Sequence, residues 1–250
     1  MTDAESGIKI SQLVAHRGYR AKFPENTILS LSKAIEHGAT FIELDVQFSY
    51  DQLPVIYHDT DLERVSGVAG SIVEMPRSQL VKIPAYEPKR LGKLYQDETI
   101  ATLEDLVHLL KKHPQVTAFI ELKDESISHC GRHLMIDKVI DILNPIAQQT
   151  VIMSFDYPLC ELARQASWPL VGVVLTSWDE LESNIVKKIA PDYIFVDHEI
   201  VPTQEHLSAN TSLRNTKLVA YEVGNTELGN RLLTLGLDML ETYEIEKLMT

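Results

Sequence analysis

The 250-residue sequence has few of the features that mark secreted, membrane-spanning or nucleic-acid-binding proteins. Its two cysteines, Cys130 and Cys160, form no close Cys-x-x-Cys pair, so we expect reduced structural thiols rather than a disulfide framework. No stretch approaches the uninterrupted apolar length that a membrane span requires, and no amphipathic anchor is evident. The formal net charge of -13 argues against a nucleic-acid-binding surface and a polybasic membrane patch, but it still allows a local cationic pocket for a phosphate.

Composition and length fit one ordinary globular domain. Hydrophobic residues make up 44% of the chain and charged residues 24%, a balance typical of soluble proteins. The length allows one large core, and no linker divides the sequence, so we predict a single domain over residues 1–250. The first ten residues, MTDAESGIKI, are partly acidic and lack the apolar region of a secretory signal, so the predicted location is the cytoplasm.

Short apolar, β-branched runs alternate with amphipathic stretches along the chain, as in parallel sheets whose strands are joined by helices. The eight runs cover residues 11–15, 40–48, 116–122, 150–155, 170–176, 192–197, 217–223 and 237–242. Residues 26–38 and 102–113 show clear helical punctuation, whereas residues 203–214 show a weaker helical pattern. Eight strand–helix units in this length predict an α/β fold, a closed (β/α)8 TIM barrel with right-handed crossovers.

The segment from about Ser49 to Ile100 interrupts this alternation. It is rich in turn residues, as in DQLPVIYHD, SGVAG and KIPAYEPKRLGK, and does not read as one helix. The crossover from the second strand to the third needs only the helix predicted at 102–113. Because the surplus residues begin at the carboxyl end of the second strand, we expect a small insertion that caps the barrel mouth.

Polar side chains close three successive predicted strands at one rim. They are His16 and Arg17 after the first, Glu43 and Asp45 in the second, and Glu121 and Lys123 at the end of the third. With a period of two, Glu43 and Asp45 point to the same face, and their apolar neighbours imply that this face is buried. Buried carboxylates need a compensating cation, and three acids without clustered cysteine or histidine favour Mg²⁺ or Ca²⁺ over zinc.

Taken one at a time, these features have plain structural explanations. A Glu-x-Asp pair often faces solvent on an edge strand, a His-Arg pair at a strand end is often a surface pair, and His58-Asp59 can be an ordinary turn. Their occurrence together on three successive strands and one inserted loop favours a site at the mouth of the barrel.

The same residues lie in motifs that resemble one enzyme family. In order along the chain, these motifs are AHRG, PENT, ELDVQ, PVIYHD, LERVSG, IATLEDL and IELK, followed by SFD at residues 154–156. This combination resembles the glycerophosphodiester phosphodiesterase (GDPD) family. The resemblance is specific in the N-terminal half and thins to barrel-like spacing in the C-terminal half.

The resemblance implies a barrel enzyme that hydrolyses glycerophosphodiesters to glycerol 3-phosphate and an alcohol. His16 and His58 match the family's catalytic histidines. The positions that match its metal ligands are Glu43, Asp45 and Glu121. Arg17 and Lys123 match positions that contact phosphate, and Glu25 matches the acid of its Glu-Asn-Thr motif, which we interpret either as orienting Arg17, as bracing the metal site or as a plain acid at a helix N-terminus.

The residues themselves fit that chemistry. Hydrolysis of a phosphodiester, a monoanion with a poor leaving group, requires charge neutralisation, one base and one acid. A metal ion and Arg17 can neutralise the non-bridging oxygens, and His16 and His58 can divide the proton transfers near neutral pH. Either water or the neighbouring glycerol hydroxyl can be the nucleophile, and we interpret Gly18 as letting the backbone pass close to the ligand.

Two departures from the family pattern lie near the predicted mouth. Tyr221-Glu222-Val223 stands where the family commonly has aromatic-Thr-Val, and Thr242-Tyr243 stands where it usually has Thr-Asp. Glu222 is interpreted as a solvated rim acid, with a metal contact or selection of a cationic alcohol as alternatives. Two other functions stay open: a lysophospholipase D on the same scaffold, and a catalytically inactive phosphodiester-binding protein. The sequence names neither the alcohol nor the oligomeric state.

Overall fold

A computed structural model describes residues 7–203, 207 and 215–249, and its framework is a closed barrel. The strands are β1 (Leu13–Ala15), β2 (Phe41–Phe48), β3 (Pro54–Ile56), β4 (Thr117–Leu122), β5 (Thr150–Met153), β6 (Leu170–Leu175), β7 (Tyr193–Asp197), β8 (Lys217–Tyr221) and β9 (Met239–Thr242). Each strand except β3 pairs in parallel with the strands beside it in the ring, including β2 with β4, and β1 closes the ring by pairing with both β2 and β9. This confirms the predicted (β/α)8 barrel.

Helices connect and flank the strands. They are α1 (Ile28–Glu36), α2 (Glu63–Ser66), α3 (Arg77–Leu80), α4 (Pro88–Leu91), α5 (Leu103–Leu110), α6 (Ile127–Cys130), α7 (Arg132–Leu143), α8 (Tyr157–Gln165), α9 (Asn184–Ile189), α10 (Thr226–Leu235) and α11 (Ile245–Leu248). Side chains at the predicted punctuation cap several of them: the Thr27 hydroxyl accepts from the Ser30 amide, and Thr102 forms a capping box with Asp105. The weak helical pattern at 203–214 lies almost entirely outside the described residues.

Alternation along the strands creates two buried layers. One cluster lies inside the barrel and contains Val14, Phe119, Val151, Met153, Val174, Tyr193, Phe195, Val219 and Met239. The residues of opposite parity, such as Ile42, Leu44 and Ile120, pack in the larger cluster between strands and helices. Inward positions closer to the carboxyl ends of the strands are therefore at the barrel mouth, above the inner apolar cluster.

The segment between β2 and α5 has a small apolar cluster of its own, made by Val55, Tyr57, Leu62, Val65, Ile72, Leu80, Ala85 and Ile100. It opens with β3, which pairs antiparallel with β2 and was not predicted as a strand. A three-residue strand that starts with proline gives almost no periodic signal, because Pro54 cannot donate a ladder hydrogen bond and alternation needs more residues.

Both cysteines are free. Burial raises the pKa of the Cys130 thiol to about 11 and that of Cys160 to about 12, as expected for structural thiols. Among the described residues, no helix is both long and apolar enough to cross a membrane.

Candidate active site and metal centre

The barrel brings the acids predicted on β2 and β4 to one place. Glu43 and Asp45 follow Phe41 on the inward face of β2, and Glu121 follows Phe119 on the inward face of β4. One carboxylate oxygen from each acid lies within 4.8 Å of the other two, and Glu43 and Asp45 are each only 1% exposed. The carboxylates share a common centre, as a single bound cation would require.

The electrostatics of these acids fit a divalent ion. Burial raises the pKa of Glu43 well above its usual 4.5, and the charges of Asp45 and Glu241 raise it further. Burial also raises the pKa of Glu121. The Oε1 atom of Glu43 is buried without a hydrogen-bond partner. Hard oxygen donors that are crowded, buried and partly unsatisfied are suited to hold Mg²⁺ or Ca²⁺.

Two cationic side chains lie beside the same acids. Arg17 Nε lies 3.1 Å and Lys123 Nζ 3.5 Å from the carboxylate of Asp45, and Lys123 Nζ donates to Glu121 at 2.7 Å. Burial alone raises the pKa of Asp45, but Arg17 and Lys123 outweigh it and hold the value at about 2. Asp45 is therefore ionised, and the Arg17 backbone N–H also donates to Glu43 at 2.9 Å. The predicted phosphate-contacting residues are thus at the acid cluster.

His16 also lies beside Glu43. Its Nε2 is 3.7 Å from Glu43 Oε2, and its Nδ1 faces Glu222 at 3.5 Å and Glu241 at 3.9 Å. Burial lowers the pKa of His16 well below 6.5, and Arg17 lowers it further. The ring stacks on Tyr243, with centroids 4.6 Å apart and planes 8° apart, so its orientation is fixed by packing.

The β2–β3 hairpin places His58 at the same mouth. β3 runs back along β2 until the Tyr57 amide donates to the Asp45 carbonyl at 3.0 Å. Gln47 then donates to the His58 carbonyl, and His58 Nδ1 lies 2.6 Å from the Asp59 carboxylate. A carboxylate can only accept, so Nδ1 carries a proton and Nε2 is the nitrogen available to a substrate.

Glu25 joins the β1–α1 loop to the insertion. Its carboxylate is 1% exposed and accepts from Arg17 at 3.1 Å, Arg20 at 2.6 Å and Arg64 at 2.7 and 2.9 Å. Arg64 also donates to Asp59 at 2.6 and 2.8 Å, so one guanidinium links the acid that holds Arg17 to the acid that holds His58. The contact of Glu25 with Arg17 is the one that orientation of Arg17 by Glu25 would require.

Gly18 packs on a helix, which differs from its expected approach to the ligand. Its φ is +79°, and a Cβ at this position would come within 2.6 Å of the Ser30 backbone carbon and 2.7 Å of the Leu31 nitrogen. The preceding Arg17 is also left-handed at φ +55°, and its carbonyl accepts from Ser30 Oγ at 2.9 Å. Glycine at 18 therefore lets the loop lie against α1, which positions Arg17.

Sequence reasoning missed several residues of the site. Asn26 donates to Asp45 Oδ2 at 2.8 Å and accepts from the Asp45 amide at 3.1 Å, which fixes this carboxylate. Glu241 is inward on β9, two residues after Met239, and is 3% exposed. The period-two argument that found Glu43 also applies to Glu241. Arg64 carries no spacing signal that could have found it.

These groups surround one small cavity of about 130 Å³. Its lining is His16, Arg17, His58, Glu121, Lys123, Met153, Phe155, Val174, Phe195, Tyr221, Glu222 and Glu241. A second cavity of about 430 Å³ shares Glu222 with it and is lined by Arg20, Arg90 and Tyr243, among others. Two histidines, two cations and a group of oxygen donors thus converge on one concave site.

A family model matches residues 16–246 of this chain and describes the glycerophosphoryl diester phosphodiesterase family. The chain belongs to this family. A glycerophosphodiester phosphodiesterase of Caldanaerobacter subterraneus is 26% identical over 95% of this chain and 96% of its own length. Mouse glycerophosphodiester phosphodiesterase 1 is 34% identical over 110 residues, so the match spans 44% of this chain but only about a third, 33%, of the mouse protein.

Solved structures of the family have the same fold. A phosphodiesterase of Oleispira antarctica, determined in complex with the product sn-glycerol-3-phosphate, has a TM-score of 0.81 at 25% identity and covers 95% of this chain and 94% of its own. A glycerophosphodiester phosphodiesterase of Thermotoga maritima has a TM-score of 0.71 at 25% identity, covering 94% and 95%. This GDPD chain therefore shares the family barrel over nearly its whole length.

The two departures from the family pattern meet each other beside His16. The Tyr243 hydroxyl donates to Glu222, and the Arg20 guanidinium lies 4.2 Å from the centroid of the Tyr243 ring, which also stacks on His16. Glu222 is partly exposed, as expected of a rim acid, but it also lies within ion-pairing distance of His16. In this GDPD protein, Glu222 and Tyr243, which depart from the family pattern, therefore lie together beside His16 at one side of the site.

Proposed function

We propose that this protein hydrolyses glycerophosphodiesters to glycerol 3-phosphate and an alcohol, using one divalent cation, Mg²⁺ or Ca²⁺. The observation that carries the proposal is the convergence of Glu121, Arg17, Lys123 and both histidines on one small cavity in a chain of the GDPD family, with Glu43 and Asp45 grouped beside Glu121. In the reaction, the bond from phosphorus to the alcohol oxygen breaks, and an oxygen from water ends on phosphorus.

The chain's own residues can provide the required binding and proton transfers. Arg17 and Lys123, next to the acid cluster, supply positive charge for the non-bridging phosphate oxygens. His16 and His58 both line the cavity, so one can take a proton from the nucleophile while the other gives one to the leaving alkoxide. Asp59 and Tyr243 hold the two imidazole rings in place.

Glu43, Asp45 and Glu121 would hold the cation. When bound, the ion supplies further charge neutralisation at the phosphate. The adjoining larger cavity, lined by Arg90 and Tyr243, provides room for the alcohol part of the substrate.

The test is turnover of a panel of phosphodiesters by the purified protein. The panel holds glycerophosphocholine, glycerophosphoethanolamine, glycerophosphoglycerol and lysophosphatidylcholine, each assayed with Mg²⁺, with Ca²⁺ and with a chelator. Release of glycerol 3-phosphate is measured for the glycerophosphodiesters, and release of choline for the lysophospholipid. We expect metal-dependent release of glycerol 3-phosphate that the chelator abolishes.

Two variants complete the experiment. Asp45→Asn removes an acid of the cluster and should abolish turnover, while Glu104→Gln, which changes a half-exposed acid on α5, should leave it unchanged. Turnover restricted to lysophosphatidylcholine would replace the proposal with a lysophospholipase D. Binding of glycerophosphodiesters without turnover under any metal condition would identify an inactive binding protein.

A further inference from the structure

A second group of metal-type ligands lies beside the first. His16, Glu43 and Glu241 each offer one ligand atom, and the three atoms lie within 4.8 Å of one another. All three residues are buried, at 7%, 1% and 3% exposure respectively. Glu43 belongs to both groups, whereas His16 and Glu241 are absent from the group formed with Asp45 and Glu121.

The atoms of this second group lack partners. His16 Nδ1, Glu43 Oε1 and Glu241 Oε1 are each buried with no hydrogen bond. A buried polar atom without a partner destabilises the fold, and a charged one does so more strongly, so native structures contain few of them. The three residues that carry these atoms lie next to one another in space, so the atoms point to one ligand that they share.

The two groups differ in the lysine and arginine side chains that form ion pairs with their acids. Asp45 has Arg17 and Lys123, and Glu121 has Lys123. Within residues 7–203, 207 and 215–249, no lysine or arginine forms an ion pair with Glu241, whose charged neighbour is His16 at 3.9 Å. Ion pairs with Arg17 and Lys123 thus reach Asp45 and Glu121, whereas Arg17 acts on Glu241 only from beyond ion-pairing distance.

We propose that His16, Glu43 and Glu241 form a second divalent-cation site, with Glu43 as a carboxylate shared between two ions. The unpartnered His16 Nδ1 and Glu241 Oε1 supply donors that the first group does not contain, and ligation through Nδ1 leaves His16 Nε2 for proton transfer. A set of one imidazole and two carboxylates suits a first-row divalent ion such as Mn²⁺ better than Ca²⁺, which takes oxygen ligands. Ions bridged by one carboxylate usually lie about 3.5–4 Å apart.

The test is the number of Mn²⁺ ions bound per chain, which needs no substrate. The full-length protein is stripped with a chelator, dialysed against a series of Mn²⁺ concentrations and analysed for bound metal. We expect two ions for the wild-type protein. E241Q and D45N should each bind one, because each removes a ligand that belongs to only one group. Glu227→Gln, which changes an exposed acid in the first turn of α10, is the matched control and should bind two.

Electron paramagnetic resonance of the same samples supplies the second measurement. Two Mn²⁺ ions that share Glu43 should show a spin-coupled spectrum in the wild-type protein, and E241Q should show an isolated-ion spectrum. E241Q should also raise the weaker of the two dissociation constants by more than about 10-fold. Circular dichroism checks that each variant is folded.

Two results would overturn the proposal. One is a single ion per wild-type chain at saturating Mn²⁺, which stands whether or not any variant folds. The other is two ions per chain in folded E241Q, in which case Glu241 carries a proton or meets a cationic group of a substrate. Because metal content is read without turnover, loss of the proposed hydrolase activity and loss of the second ion are separate findings.

Discussion

Replacing Glu25 by glutamine tests the ion network that connects the β1–α1 loop to the insertion. The substitution keeps the shape of the side chain but removes the charge that three arginines share. Arg17 and Arg20 are largely buried, with side-chain exposures of 11% and 24%. Their guanidinium groups would then face a neutral amide in a site that excludes most water, and the link to Arg64 would be weakened.

The burial of Glu25 sets the size of the effect. Removing one partner of a buried ion pair costs about 3–5 kcal/mol when the remaining charge is left unpaired, and this range is an upper bound here because Arg17 keeps its ion pair with Asp45. The Arg64 contact adds little to this figure, since its side chain is 38% exposed and solvent screens it. At this chain length, each kcal/mol shifts the melting temperature by about 2–4 °C, so Glu25→Gln should melt roughly 6–20 °C below wild type.

The assay is thermal unfolding followed by circular dichroism at saturating Mg²⁺. The matched control is Glu104→Gln, which removes an Arg77 ion pair whose carboxylate is 42% exposed. Exposed pairs contribute about 0–1 kcal/mol, so this control should melt within a few degrees of wild type. A Glu25→Gln melting temperature as close to wild type as that of the control would refute the network as a source of stability.

The difference in melting temperature between wild type and Glu25→Gln should also depend on pH in a predictable direction. Burial alone raises the pKa of Glu25, but Arg64, Arg17 and Arg20 outweigh it and hold the pKa well below 4.5. A depressed pKa means that the stabilisation is complete above about 4.5 and is lost as the pH falls through the folded-state value. The difference in melting temperature between wild type and Glu25→Gln should therefore be constant from about pH 8 to pH 5 and should become smaller only below about pH 4.5.

Three further predictions concern the site and the core. His16→Ala and His58→Ala should each lower kcat by about 10²–10⁴-fold while the fold survives, and near-normal kcat in either variant would remove that histidine from the mechanism. A divalent ion at 100 times its dissociation constant should stabilise the metal-free protein by about 2.7 kcal/mol, and thermal melts of Asp45→Asn should lose most of this gain. Cys160 should react with a thiol reagent only on unfolding, since the thiol is fully buried, so rapid labelling of native Cys130→Ser protein would contradict the described packing.

Much of the fold and site followed from the sequence because strand alternation and barrel closure are regular. A period of two places Glu43 and Asp45 on one face, and a closed parallel barrel then brings Glu121 beside them. The same alternation predicts that Glu241 faces inward, because it lies two residues after the inward-facing Met239 on β9.

Other parts of the site had no local signal. Arg64 reaches Glu25 from 39 positions away, through an insertion whose path depends on its own small core. β3 is three residues long and starts with proline, so neither length nor alternation could predict it. Tyr243 departs from a family motif, but its stacking on His16 depends on how β9 and β1 pair, which the sequence does not encode locally.

The separate apolar cluster of the insertion has a consequence for how activity is lost. His16 extends from a strand of the barrel, while His58 stands on the segment packed around Tyr57 and Leu62. Proteins open in cooperative units of unequal stability, and a segment with its own small core is a natural unit of this kind. On slow heating, we therefore expect the insertion that carries His58 to unfold before the barrel melts. Activity should then be lost before secondary structure and should return on cooling.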